Sequence, residues 1–398
     1  MKRNFLSLLI IAAIAVWFTG CAAFEGAAQK GKVSSALNLA ESGELQKAKD
    51  AIDEALEGET TKEWPKTYYA LGRVAQTMWE TGFESKNEKL MTTWDNQLVH
   101  AYESYLKSIE MDDGSSMKNL VVIQLPALAN DFLNWAAEEF EKENFGKSTL
   151  AFETLLDIQQ SDIYMGTVDT VVVYNTALAA YNAADYDKAL EYLDWSIELE
   201  YGETTPFLLK YQAYMEQNNL DGAEEALRNA YDAYPKNEQV LLTLIQFFID
   251  NDKRQEALDY LDVAIEDAPD NPQLYYARGV MHMQAEDYEK ALESLKKAIE
   301  LDDTSYESYY NAGVCYYNMA SNMFDEANNI MDPEEYNAAI EEAKEVFAKA
   351  IPYMERALEL KPNDYETMVS LKELYYRLQM TEKYNDIMAK IEALEGGQ

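Results

Sequence analysis

An all-α repeat array is the fold class this sequence predicts, and three observations predict it. Pro and Gly are scarce (9 and 16 of 398 residues), whereas Ala, Leu, Glu, Lys and Tyr abound, which favours helices joined by short turns over sheets. A phrase also returns: "ADYDKALEYLDWSIELE" at residues 184–200 comes back as "EDYEKALESLKKAIELDD" at 286–303. Finally, Ala189, Ala223, Ala257 and Ala291 stand 34 residues apart, as do Leu193, Leu227, Leu261 and Leu295. Apolar letters that persist while charged letters drift mark a repeated packing unit, and a constant period of this length marks a solenoid.

Taken in order, the first twenty residues stand outside that array. "MKRNFLSLLIIAAIAVWFTGC" has a basic start (Lys2, Arg3), an apolar stretch from Phe5 to Phe18 and small residues leading into Cys21, the layout of an export signal. The apolar stretch is shorter than the roughly 20 residues a helix needs to cross a bilayer. The ending "FTGC" resembles the lipobox of bacterial lipoproteins, with Phe18 where Leu is usual. That resemblance implies loss of residues 1–20, acylation of Cys21 and a tether over 21–28 held at a membrane by its acyl chains. Ala22, in the place where Asp commonly retains such proteins at the inner membrane, implies the outer membrane, and the lack in "AAFEGAAQKGK" of the acidic cluster that sends some lipoproteins to the cell surface implies its periplasmic face.

The array is expected over residues 29–396. Each unit holds two stretches with apolar residues three and four apart, separated by a short polar turn such as "AEDY" at 285–288, so each unit is a helix hairpin. At the crossing of two close helices there is room for little more than a methyl group, which Ala291 supplies against Gly279. Pro235 and Pro269 follow second helices, where proline stops the helix before the next unit. "GELQKAKDAIDEAL" (43–56) closes a first unit, "TYYALGRVA" (67–75) opens a second that "AYESYLKSIEMDD" (101–113) closes, and "ENFGKSTLAFETLLDI" (143–158) closes a third. Regular core repeats fill 170–305, and a more polar pair at 365–396 suits a cap.

This pattern resembles the tetratricopeptide repeat family, whose 34-residue units place aromatic, Gly, Tyr, Ala, Leu, Ala and Pro residues at set positions. Residues 272–305 supply Tyr275, Gly279, Tyr288, Ala291, Leu295 and Ala298, while His282 stands where Tyr is usual and Asp303 where Pro is. The resemblance implies a superhelical solenoid of antiparallel hairpins, about nine repeats in all. Two interruptions imply elongated hairpins near 65–115 and 306–362, because the small crossing residue arrives 17 positions late at Ala101 and 25 late at Ala350. The second surplus lacks Gly and has Pro333 in a capping context after Asp332, so it is expected to lengthen both helices into a projecting arm, with Pro352 inside the returning one.

In this family the first helix of each hairpin lines a groove for peptides or partner helices. The phase places Tyr174, Leu208, Leu242, Tyr276 and Tyr310 in one inward row and Tyr181, Met215, Ile249, Met283 and Tyr317 in a second, edged by Asn182, Glu216, Asp250, Gln284 and Asn318. Some family members clamp terminal carboxylates with lysines on this face. Here Tyr, Leu and Met occupy those positions, so a carboxylate clamp is rejected and apolar and amide contacts to an extended segment are expected.

The formal charge of −39 excludes functions that rest on displacing counterions from nucleic acid. The two histidines, His100 and His282, are far apart, and no metalloprotease, nucleotide-binding or nucleophile-elbow motif occurs. With Cys21 assigned to lipid, Cys315 cannot form an internal disulfide and has no basic neighbour in sequence to activate it. The expectation is a non-catalytic, cofactor-free and metal-free scaffold of the cell envelope that binds a protein or peptide partner. The alternative is a glycan-binding lipoprotein of nutrient uptake, whose tyrosines stack on sugar rings.

Overall fold

A computed structural model describes residues 27–112 and 114–395. The expected export signal, Cys21 and most of the expected tether fall outside those residues. Among the described residues there are nineteen helices and no strand. In hairpin pairs they are α1 (27–41) with α2 (Leu45–Glu57), α3 (Pro65–Ser85) with α5 (Gln97–Glu110) around the short α4 (Glu88–Met91), α6 (Ser116–Glu141) with α7 (Phe145–Gln160), and α8 (Thr170–Asn182) with α9 (Tyr186–Glu198). Then follow α10 (Thr205–Glu216) with α11 (Leu220–Ala233), α12 (Glu238–Asp250) with α13 (Arg254–Asp267), α14 (Pro272–Gln284) with α15 (Tyr288–Leu301), α16 (Tyr306–Ala327) with α17 (Pro333–Leu360) and α18 (Tyr365–Arg377) with α19 (Thr381–Glu395). The chain divides within α11 into two compact units, 1–226 and 227–398.

The 34-residue period has a packing cause. Ala189, Ala223, Ala257, Ala291 and the four leucines that follow them by one turn are all fully buried. Space at the glycines explains why the period includes them. A Cβ on Gly279 would lie 2.7 Å from Leu295 Cγ and 3.2 Å from the Ala291 carbonyl; one on Gly72 would meet Tyr105 at 2.7 Å, and one on Gly313 would meet Met354 Cγ at 2.7 Å. Leu295, Tyr105 and Met354 each stand four residues beyond the small residue of the returning helix. The glycine therefore receives that larger side chain, while the alanine brings the backbone close enough for it to reach.

The turns repeat as well. Ala184, Asn218, Asp252 and Glu286, again 34 apart, all have left-handed backbone with φ between 55° and 61°. The next amide in each turn donates five residues back, from Asp185 to Ala180, Asn219 to Tyr214, Lys253 to Phe248 and Asp287 to His282, at 2.9–3.0 Å. This is the Schellman closure that satisfies the last carbonyls of a helix. Asp185, Asn219 and Asp287 then start the next helix by accepting an amide with their side chains. Glycine is the usual occupant of a left-handed closure, since other residues meet a steric cost there. Ala184→Gly is therefore expected to stabilise the first unit by about 0.5–1 kcal/mol, read as a raised urea midpoint of tryptophan fluorescence; an unchanged or lower midpoint would refute the cost.

The two surpluses are absorbed differently. α16 and α17 have 22 and 28 residues, with Asp332 Oδ1 accepting the Glu334 and Glu335 amides at 3.0 Å beyond the turn, so both helices of this hairpin are long. α17 continues through Pro352. In the 65–115 hairpin only α3 is long, at 21 residues; α5 has 14, the ordinary length. Lys86, at φ 55°, closes α3 early. Buried Gln97 then pins the extra turn: its Nε2 donates to the Ala75 and Leu90 carbonyls at 2.9 and 2.8 Å, and its Oε1 accepts the Thr93 amide at 2.8 Å. α6, at 26 residues, is long without any signal in the period. It is long and apolar enough to cross a membrane by length and composition, yet Leu125, Leu128, Phe132 and Ala136 are fully buried in the core of the first unit.

Candidate functional site

Side-chain caps set the register of the candidate face. Asp169, Asn237, Asn271, Ser305 and Asp364 cap α8, α12, α14, α16 and α18 by accepting an amide two or three residues on. Five residues past these caps stand Tyr174, Leu242, Tyr276, Tyr310 and Val369; twelve past stand Tyr181, Ile249, Met283, Tyr317 and Tyr376. A seven-residue step is about two turns, or roughly 10 Å along the helix, so both positions look out on one side. Leu208 and Met215 on α10 keep the same seven-residue separation.

None of the ten expected groove residues is fully buried. Eight are half-buried, and Met215 and Leu242 are 37% and 43% exposed. In the first unit Tyr174 and Tyr181 pack on a small cluster of Ala177, Leu193 and Leu209, Tyr174 lies 5.7 Å from the Tyr201 ring, and Tyr181 meets Tyr186 edge-on at 5.6 Å. In the second unit Tyr276 and Met283 rest on Ala291, Leu292, Leu295, Ala312 and Cys315. Tyr310 stacks on Tyr306 at 5.8 Å, and Tyr317 meets Phe347 edge-on at 5.3 Å. Leu242 stands at the rim of a cleft of about 400 Å³ floored by Leu241, Ala264 and Leu274. Each of these rings packs against neighbours and keeps part of its surface accessible.

Polar atoms join neighbouring helices across the face. Asn311 Nδ2 donates to the Tyr276 hydroxyl at 3.2 Å. Burial raises the Tyr276 hydroxyl pKa, Asn311 works against that, and the Glu307 carboxylate adds to it. Tyr181 is likewise raised by burial first and then by Glu216. In both cases the carboxylate comes from the next hairpin.

The reactive side chains lie elsewhere. Cys315 is buried, which pushes its thiol up to about 12 and leaves no thiolate for chemistry at neutral pH. His100 stacks on Trp94 at 5.5 Å, and its Nε2 is buried without a hydrogen-bond partner among the described residues. Burial lowers the pKa of both His100 and His282. No group of three His, Cys, Asp or Glu side chains suited to a metal ion occurs among the described residues.

Val369 and Tyr376 are absent from the rows expected from sequence. Tyr376 is 68% exposed and continues the second row on α18. The signal that finds it is the count of twelve from the Asp364 cap, not the 34-residue period, which the long α16–α17 hairpin interrupts.

Helical hairpins of fixed register, with half-open rings on their first helices, define a helical repeat protein. Residues 174–305 match a known repeat family: models described as "Tetratricopeptide repeat" match residues 174–238, 214–279 and 272–305. The photosystem I assembly protein Ycf3 of Rippkaea orientalis is 29% identical over 113 residues, 28% of this chain, and the chain spans 59% of that relative's length. Among solved structures, MamA is 20% identical, with a TM-score of 0.39 over 49% of this chain and 92% of its own. The C-terminal part of a TPR repeat-containing protein from Cytophaga hutchinsonii is 17% identical, with a TM-score of 0.45 over 67% and 96%. YrrB, described as a TPR protein with an unusual peptide-binding site, is 19% identical, with a TM-score of 0.38 over 56% and 99%.

Proposed function

We propose that this chain is a non-catalytic scaffold of the cell envelope, anchored through acylated Cys21 to the periplasmic face of the outer membrane, that docks a partner polypeptide on the first helices of its hairpins. The observation that carries the reading is the half-open state of the two rows. Each hairpin closes its own core with other residues, such as Ala291, Leu295 and Ala298, and the row side chains still keep an accessible face. Apolar surface arranged in register beyond what the core uses marks an interaction site.

Site-specific photo-crosslinking in cells tests this. A photoreactive residue in place of Leu242 or Tyr376, both exposed, is expected to give one shared adduct, and the same residue in place of exposed Glu293 on α15 is expected to give none. Tyr276→Ala combined with Tyr310→Ala should reduce that adduct at least tenfold, since buried aromatic anchors dominate interfaces. Equal adducts at all three positions, or adduct loss that merely follows a fall in melting midpoint, would assign the rings to packing.

A further inference from the structure

The charges that surround the second unit's rows are mostly negative. Across α12, α14 and residues 306–318 of α16 the permanently charged side chains are Glu238, Asp250, Arg278 and Glu307. Arg278, the one cation, is spent on neighbouring helices: its Nη1 donates to Asp262 at 2.8 Å and its Nε to Ser294 at 3.0 Å. Asp250 takes only a neutral donor, Gln246 Nε2 at 2.7 Å. Glu307 acts on the Tyr276 hydroxyl and on Lys361, but Lys361 is itself bonded to Asp364 at 2.8 Å. On α18, Arg377 is held by Glu373 at 2.7 Å, and Lys372 occupies the register of Gly279, the one that faces the returning helix.

We propose, resting on the docking reading above, that the segment received by the second unit is a cationic, apolar-anchored extended peptide, with aliphatic or aromatic side chains seated on the rows and Lys or Arg reaching Asp250 and Glu307. An anionic segment would bring like charge onto a face whose carboxylates outnumber its cations: Lys236, beside Leu242, shares its cleft with Glu238, Asp267 and Asp270, and Arg377, 6.0 Å from the Tyr317 ring, is paired with Glu373. Like-charge contacts at an interface suppress wrong partners. The spacing also suits an extended chain. Packed helices stand about 8–10 Å apart and a strand rises about 3.3 Å per residue, so every third side chain meets the next helix of the face. The positions between the anchors then carry the charges.

Two fluorescein-labelled pools of twelve-residue peptides test the proposal with the full chain in detergent. Both pools randomise Leu, Met, Phe and Tyr at every third position. One has Lys and the other Glu at four of the remaining sites, with Ser elsewhere. By fluorescence anisotropy at about 50 mM salt the Lys pool is expected to bind at least tenfold more tightly, with the advantage shrinking as salt screens it. Asp250→Asn with Glu307→Gln should cut the advantage severalfold, while Glu289→Gln with Glu293→Gln on α15, the same change of charge on the returning helix, should not. Equal binding of the two pools, or equal loss with both pairs of substitutions, overturns the cationic assignment and leaves docking intact. Failure of both pools to bind overturns both.

Discussion

Asp131→Asn should leave the first unit's stability unchanged near pH 4 and raise it above pH 7. Asp131 lies on α6, 7% exposed, and its Oδ2 accepts a hydrogen bond from buried Gln76 Nε2 at 2.8 Å. Gln76 Oε1 in turn accepts the hydroxyl of fully buried Tyr105 at 2.8 Å and Arg73 Nη1 at 3.3 Å. The groups facing Asp131 are thus Gln76, Arg73 and Glu80 on α3, with Tyr105 of α5 one bond further. Burial pushes the Asp131 carboxyl up to about 7, Gln76 and Arg73 pull it down, and Glu80 pushes it further up. The native state then holds a proton that the unfolded chain releases near its ordinary value of 3.8. The stability is fully present below that value and is lost as pH rises to about 7.

At about 1.4 kcal/mol per pH unit the loss amounts to at most roughly 4 kcal/mol. Asparagine reproduces the protonated carboxyl, with an oxygen for Gln76 and a nitrogen to donate towards Glu80, and it does not ionise. The difference between the two proteins should therefore grow through pH 4–7 and level off above. All six tryptophans precede residue 196, so tryptophan fluorescence during urea unfolding reads the first unit alone. Parallel pH profiles for the two proteins would show that Asp131 is ionised in the fold throughout.

Gly279→Val is expected to destabilise the second unit by about 3 kcal/mol, the range for forcing carbon atoms into a filled crossing, or a fall in its melting midpoint of roughly 6–12 °C for a unit of this size. The new Cβ would lie 2.7 Å from Leu295 Cγ and 3.2 Å from a backbone carbonyl that cannot swing away. Two comparisons isolate the cause. Leu295→Ala in the same chain should recover part of the loss, which makes the two substitutions non-additive. Gly146→Val on α7 of the first unit, where a Cβ would meet nothing within 4 Å, should change that unit's own midpoint little. If the two glycine variants melt alike, crowding at the hairpin crossing is not what the period encodes.

The period was legible because close packing admits few side chains: at Ala189, Ala223, Ala257 and Ala291 only a methyl fits, and the leucine one turn on must fill what remains. The turns were not, since the left-handed positions are held by Ala, Asn, Asp and Glu, none of which announces that backbone as glycine would. The extra turn before α5 hangs on hydrogen bonds from Gln97, and no apolar spacing records those. The network around Asp131 was hidden for a different reason. Among 72 acidic residues nothing in sequence distinguishes one, and Gln76, Tyr105 and Asp131 meet only when α3, α5 and α6 are assembled. Of the candidate face, the ten row positions followed from phase alone, whereas their half-open state depends on how much of each ring the next hairpin covers. Tyr376 escaped because the arm hairpin breaks the count before α18.

The left-handed joints at Ala184, Asn218, Asp252 and Glu286 share one geometry, and each is closed by local backbone bonds rather than by a distant side chain. Such a joint is modular hardware: a gene could gain or lose one whole module there, and the flanking pieces would meet through a connection already in use. Length then becomes something evolution can tune in discrete steps, adding or subtracting a stretch of the array without inventing a new fold.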